Sequence, residues 1–274
     1  MTVNPRFFPI FKPLAFAATL VAASGAHGAK TTEGAAAYDP WAFNLGTYLW
    51  LPGVYGNFSA GPFNKSADPS IINILQNQRN FPMTFSGHFE AHYERLGFYL
   101  DGNYFGLDFR PARDEGYSKG LSTRLGIMEY GASYRLFGSS ASERIAHWDE
   151  KSRSNILDIY AGGRTIWLGN EAEFGGVSAS SNASVSVPLV GGRVIVDFSP
   201  KWYITLDGSV GGFGVDNVSF SGSALGSVGY RTTLFDVPAS VEAGYKVLSV
   251  NVDKAHLSAD IVMHGLFIGL TGYW

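Results

Sequence analysis

Between residues 82 and 94 the chain alternates without interruption. The even positions are Thr84, Ser86, His88, Glu90, His92 and Glu94, and the odd ones are Met83, Phe85, Gly87, Phe89, Ala91 and Tyr93. A strand sends successive side chains to opposite faces, so this segment has one polar face and one apolar face. The tight turn Glu94-Arg95-Leu96-Gly97 follows. After it Phe98, Leu100, Gly102, Tyr104 and Gly106 alternate with Tyr99, Asp101, Asn103 and Phe105. The same period of two continues to the last residue and predicts ten strands, near 41–51, 81–94, 97–110, 123–136, 155–168, 187–198, 201–214, 219–233, 239–252 and 257–274; eight and twelve are the alternative counts. The connections 52–80, 111–122, 169–186 and 215–218 follow the odd-numbered strands. Those after the second, sixth and eighth strands are brief, and 137–154 is a long exception. Short turns at one end and longer loops at the other describe a transmembrane barrel with its short side in the periplasm. The expected fold is therefore all-β: a single antiparallel transmembrane β-barrel of about ten strands.

A soluble antiparallel barrel also alternates, so the polarity of the two faces decides. Charge is scarce, at 16% of 274 residues, and it concentrates on one face of the strands. Glu90, Asp101, Glu129, Arg135, Asp158, Arg164, Arg193, Asp197, Asp207, Arg231, Glu242 and Lys246 all fall on the polar side. Mixed signs on one face suit a paired lumen, because an unpaired buried charge is costly. The opposite faces carry Tyr130, Tyr134, Trp167, Trp202, Tyr230, Tyr245 and Trp274, mostly towards strand ends, where interfacial girdles belong.

The N-terminus reads as an address. Arg6 and Lys12 precede an apolar run over 13–23, and small residues follow through Gly28 and Ala29. That order is a secretory signal peptide, and the run is too short to span a bilayer. Residues 1–28 are thus expected to be removed, 29–40 to form a periplasmic N-terminal segment, and 41–274 to form the barrel. Removal takes away two cations and no acid, moving the formal net charge from -3 to -5. With no Cys, disulfide scaffolds, zinc fingers and thiol catalysis are excluded. The charge leaves no electrostatic footprint for nucleic acid, and no cofactor is expected.

Leu266, Ile268, Leu270, Gly272 and Trp274 form one alternating face that ends on the last residue. This face resembles the C-terminal signal by which the bacterial outer-membrane assembly machinery recognises barrel clients. Gly272 stands where an aromatic is frequent, with Tyr273 displaced by one. Three further stretches, Thr47-Tyr48-Leu49-Trp50-Leu51-Pro52-Gly53, Phe98-Tyr99-Leu100-Asp101-Gly102-Asn103-Tyr104 and Gly208-Ser209-Val210-Gly211-Gly212-Phe213-Gly214, complete the likeness. On these residues the chain resembles Gram-negative outer-membrane proteins described as porin-like or β-barrel proteins. The resemblance implies the barrel and its outer-membrane location, without a substrate. Expected partners are outer-membrane lipid, lipopolysaccharide and the assembly machinery; the sequence does not give the oligomeric state.

Sharper chemical readings each meet an obstacle. His88, Glu90 and His92 share a face, yet side chains two apart on a strand are spaced ~6.6 to 6.8 Å, too far for one straight strand to grip an ion. A lumen hydrogen-bond network is expected there, with no metal. The glycine-rich stretch 208–214 lacks the following helix that a phosphate loop needs and suits close strand packing or a kink. His264 lies on the outward face with Asp260, as in outer-membrane lipid A hydrolases, but position 266 is Leu where a Ser is required. Asp108, Asp114 and Asp216 can be placed at an extracellular edge, as in omptin-like proteases, without a companion His. No enzyme is expected. In the first loop Asp68 and Pro69 suit a helix start, and Ile71, Ile72 and Leu75 make a stripe, so a short helix over 68–78 is expected to cover the mouth. Two functions remain: a porin-like barrel, narrow or plugged, that passes or binds small solutes, or a non-conducting structural or interaction barrel.

Overall fold

The computed structural model describes residues 39–60, 63–67, 83–109, 119–148, 155–174, 177–254 and 257–274. The expected signal peptide, the segment up to residue 38 and the loop helix of Asp68, Ile71, Ile72 and Leu75 lie outside the described residues. The strands are β1 (Trp41–Ala60), β2 (Phe63–Ala67), β3 (Met83–Tyr93), β4 (Leu96–Phe109), β5 (Lys119–Phe137), β6 (Ile156–Phe174), β7 (Val177–Asp197), β8 (Trp202–Gly212), β9 (Val218–Leu234), β10 (Val237–Lys254) and β11 (Leu257–Tyr273). Each pairs antiparallel with its neighbours, and β11 pairs back onto β1. Ten strands thus close a barrel, while the five-residue β2 folds back on the outer half of β1.

The register fixes the shape. Stepping from Asn44 through paired residues around the sheet, by way of Glu90, Tyr99, Gly131, Gly162, Leu189, Gly211, Ser221, Val250 and Ile261, returns to β1 at Gly56, twelve residues further along. With ~3.3 Å of rise per residue and ~4.8 Å between strands, that stagger tilts the strands by about 40°. The start of β1, the C-terminus and the β3–β4, β5–β6, β7–β8 and β9–β10 connections lie at one end, called the base; the other end is the rim.

Two connections differ from the sequence reading. Residues 52–60 continue β1, and 169–174 and 177–186 extend β6 and β7 instead of forming a long loop. The long base connection contains a helix that periodicity did not predict, α1 (Ala141–Ala146). Its start is a capping box, in which the Ser140 hydroxyl accepts from the Glu143 N–H at 3.2 Å and the Glu143 carboxylate accepts from the Ser140 N–H at 2.8 Å. At the rim, β8 and β9 are joined through left-handed Gly212 and Gly214, with φ of 97° and 82°. The glycine-rich stretch is therefore a strand end and a turn.

Side-chain alternation follows the pleat. Along β8, Trp202, Ile204, Leu206 and Val210 are exposed, whereas Tyr203, Thr205 and Ser209 are buried. On the outside, Trp41, Tyr93, Tyr134, Trp202 and Trp274 ring the base, and Tyr104, Trp167 and Phe220 lie towards the rim. Between them the exposed side chains include Leu45, Leu100, Ile159, Val190, Leu206, Val228, Leu266 and Ile268. No Asp, Glu, Lys or Arg occupies an outward position of this band among the described residues. An apolar outer band between aromatic girdles, on a sheet with no free edge around its circumference, is the construction of a membrane-spanning barrel of the outer-membrane type.

Candidate functional site

The barrel interior has two layers of opposite chemistry. Towards the rim, Trp50, Phe105, Ile127, Val187, Val218, Leu248, Val250 and Met263 form one buried cluster. These residues come from β1, β4, β5, β7, β9, β10 and β11, so the cluster fills the lumen from wall to wall. Trp50 has no exposed surface and meets Phe105 edge-on, with ring centroids 5.6 Å apart. All of them except Val218 sit on the inward parity of their strands, where the same pattern nearer the base places charges; Val218 turns inwards through the register shift that opens β9.

Below this cluster all twelve ionisable residues singled out in the sequence turn inwards, and among the described residues ion pairs link all but Glu242. Arg193 on β7 donates to Glu90 on β3 at 2.5 Å and to Asp207 on β8 at 2.9 Å. Glu90 also meets His88 Nε2 and His92 Nε2, both at 2.9 Å, so the triplet shares one carboxylate. His88 Nδ1 reaches Asp101 at 3.2 Å. Asp101 in turn accepts from Tyr48 at 2.7 Å and from Lys246 on β10 at 3.5 Å. Among the described residues no three His, Asp or Glu side chains are arranged to hold a metal ion.

Arg164 is fully buried directly under the apolar layer. It donates to Glu129 at 3.0 Å, Ser221 at 2.6 Å, Ser209 at 2.8 Å and Ser223 at 2.9 Å. Arg135 grips Asp158 with two bonds of 2.8 and 3.1 Å, the fork geometry that makes arginine suited to carboxylates. At the base Asp197 is shared between Arg231 and Arg144. Glu242 differs from the other acids. It accepts from the hydroxyls of Tyr203 at 2.7 Å and Ser227 at 2.8 Å, and no cation pairs with it among the described residues.

These groups surround a cavity of about 240 Å³. Its walls include Tyr99, Tyr160, Thr205, Asp207 and Glu242, and its floor is α1, which contributes Arg144 and Ile145, followed by Trp148. The floor is latched. Arg144 donates to Asp197 at 3.1 Å, and the Trp148 indole donates to the Thr232 carbonyl at 2.9 Å and packs 4.9 Å from the Tyr273 ring. Burial pushes the Arg144 guanidinium below its ordinary pKa, against the attraction of Asp197. Among the described residues, Tyr99 Oη and Thr205 Oγ1 in the wall have no hydrogen-bond partner, nor has Nη1 of Arg231.

Tyrosines are the lumen residues that the charge pattern did not single out. They fit because inward positions opposite them are glycine: a Cβ on Gly229 would run into the Tyr203 ring, and one on Gly191 into the Tyr160 ring. Parity alone would have placed Tyr48, Tyr99, Tyr160 and Tyr203 inside. Arg144 had one legible signal, the Ser140-to-Glu143 capping box.

Leu266, Ile268, Leu270 and Trp274 are all exposed on the outer face, and Trp274 exchanges two backbone hydrogen bonds with Phe43, at 2.8 and 2.9 Å, where the barrel closes. His264 also faces outwards. It stacks on Tyr55 at 4.7 Å and hydrogen-bonds Tyr245.

No protein-family model and no curated protein matches this chain. Among solved structures it is similar to Ail, the attachment invasion locus protein of Yersinia pestis, in complex with the heparin analogue sucrose octasulfate. The identity is 8%, the TM-score 0.37, and the match covers 85% of this chain and 98% of that one. A major outer membrane protein from Thermus thermophilus matches at 11% identity and TM-score 0.34, over 85% of this chain and 99% of its own. The outer membrane protease OmpT from Escherichia coli matches at 8% identity and TM-score 0.29, over 87% and 98%. At these scores the likeness carries no weight for function; the barrel stands on its own strand pairing and its two-faced chemistry.

Proposed function

We propose that this chain is a closed outer-membrane barrel, porin-like in its build, whose lumen does not conduct at rest and which presents a polar cavity to the periplasm. The observation that carries the reading is the apolar layer of Trp50, Phe105, Ile127, Val187, Leu248 and Met263 across the lumen. Water and ions pass such a layer poorly, because nothing in it replaces their hydration. Beneath it, cross-lumen pairs such as Arg193 with Glu90 occupy the space an ion path would need. Ten strands also lie close to the eight-strand limit, where side chains fill the interior, and far from the 16 to 18 that leave an aqueous channel. The base, with the start of β1, the C-terminus and the short turns, faces the periplasm in this reading, and outer-membrane lipid and lipopolysaccharide surround the band. The Leu266-to-Trp274 face serves the assembly machinery. No catalytic role is assigned.

The test is single-channel recording of the refolded mature protein in planar bilayers. Wild type is expected to be silent, and the pair Trp50→Ala with Phe105→Ala to show discrete openings. Large, stable wild-type currents would overturn the closed reading and favour an open porin.

A further inference from the structure

The lumen carboxylates are matched with cations one by one, with a single exception among the described residues. Glu90 has Arg193, Asp101 has Lys246, Glu129 has Arg164, Asp158 has Arg135, Asp197 has Arg144 and Arg231, and Asp207 shares Arg193. Glu242 has only hydroxyl donors, although it lines the cavity and sits on the inner face of a barrel that excludes bulk water on the rim side. A half-buried carboxylate without a counter-ion is less favourable than a paired one, and an arriving cation relieves it. The nearest cation on the neighbouring strand is committed elsewhere: the Arg231 guanidinium is held by Asp197 and lies over the Tyr203 ring, 4.4 Å from its centroid.

The surroundings define what would fit. The Ser227 hydroxyl spends its proton on Glu242, which leaves its oxygen as an acceptor, whereas the Tyr203 hydroxyl, which also donates to Glu242, is engaged by Ser240 and Tyr273. Thr205, which is 5% exposed and lies on the same inner face, adds an oxygen with no partner. A carboxylate with acceptor oxygens around it suits a group with several N–H donors and a positive charge. A cavity of about 240 Å³ admits a compound of a few heavy atoms and not a long chain.

We propose that the cavity is a binding site for a small primary-ammonium compound, with Glu242 as its counter-ion and the oxygens of Ser227 and Thr205 as acceptors for its N–H groups. Access is from the periplasmic side past α1, whose Arg144 and Trp148 contacts form the floor. This assignment rests on the closed-lumen reading in one respect, that the cavity is a dead end.

Isothermal titration of the refolded mature protein in detergent with ethanolammonium chloride tests it, with sodium chloride at equal ionic strength as the reference. Wild type is expected to bind one ethanolammonium saturably. Glu242→Gln should weaken binding at least tenfold, and Thr205→Lys, which supplies an ammonium on the same inner face, should abolish it. Retained heat-modifiable gel migration shows that each variant is folded; if Glu242→Gln does not fold, Thr205→Lys decides. Absence of saturable binding to wild type, or equal binding by wild type and the folded variants, overturns the site. Conductance is read separately: stable wild-type currents alongside Glu242-dependent binding would remove the dead end and leave the site.

Discussion

Replacing Arg164 by Ala tests how far the lumen network holds the barrel together. The Arg164 side chain has no exposed surface and makes four bonds, to Glu129, Ser221, Ser209 and Ser223. The three serines lose a donor, yet Ser209 and Ser223 already bond each other at 2.7 Å and partly satisfy themselves. Glu129 is left as a carboxylate inside the barrel without its ion-pair partner, with Lys246 as a remaining cation within electrostatic reach. Removing one partner of a buried pair typically costs about 3 to 5 kcal/mol, whereas replacing both by neutral groups is often close to neutral. Arg164→Ala is therefore expected to destabilise by about 3 to 5 kcal/mol, towards the low end if water enters from the cavity below. Adding Glu129→Gln to Arg164→Ala should restore most of the loss. Urea unfolding titrations in lipid vesicles, followed by tryptophan fluorescence, on these two variants and on Glu129→Gln alone close a double-mutant cycle. A loss below about 1 kcal/mol for Arg164→Ala, or effects of the two sites that add within about 0.5 kcal/mol, would refute the reasoning.

Two further outcomes follow from the faces. Leu206, 56% exposed on the outer band, should tolerate Arg far less well than Thr205, 5% exposed beside the cavity; the outward Arg costs about 2 to 4 kcal/mol near mid-membrane, and the reverse ranking in vesicle titrations would mean that β8 is misregistered by one residue. Deleting Trp274 removes the backbone pair with Phe43 and one member of the base girdle, so outer-membrane levels should fall while export to the periplasm is unchanged; equal surface levels would rule the role out.

What sequence could determine about this protein is the part governed by the pleat. Because side chains alternate strictly, the partition of each strand between lipid and lumen was legible wherever the two sides differ in polarity, as along 82–94 or at Leu206 beside Thr205. That was enough for the barrel, the outward aromatics and the inward placement of the twelve charged residues. Where the strands run on beyond the apolar band the signal stops. Residues 177–186, rich in Ser and Ala, lack the apolar alternation that lipid contact imposes and read as a loop, although their backbone pairs in full with β6. Tertiary structure alone decided the rest. Inward parity is shared by Trp50 and by Lys246, and only the twelve-residue stagger of closure puts the first into an apolar layer at the rim and the second into a charge network below it. Arg193 and Glu90, 103 residues apart, become partners across the lumen for the same reason. The helix Ala141–Ala146 is too short for periodicity to reveal, and its Arg144 gains meaning only against Asp197 on another strand. Glu242 looks in sequence like any other lumen acid; that it lacks a cation among the described residues depends on where every other charge in the barrel lands, a property of closure that no local pattern carries.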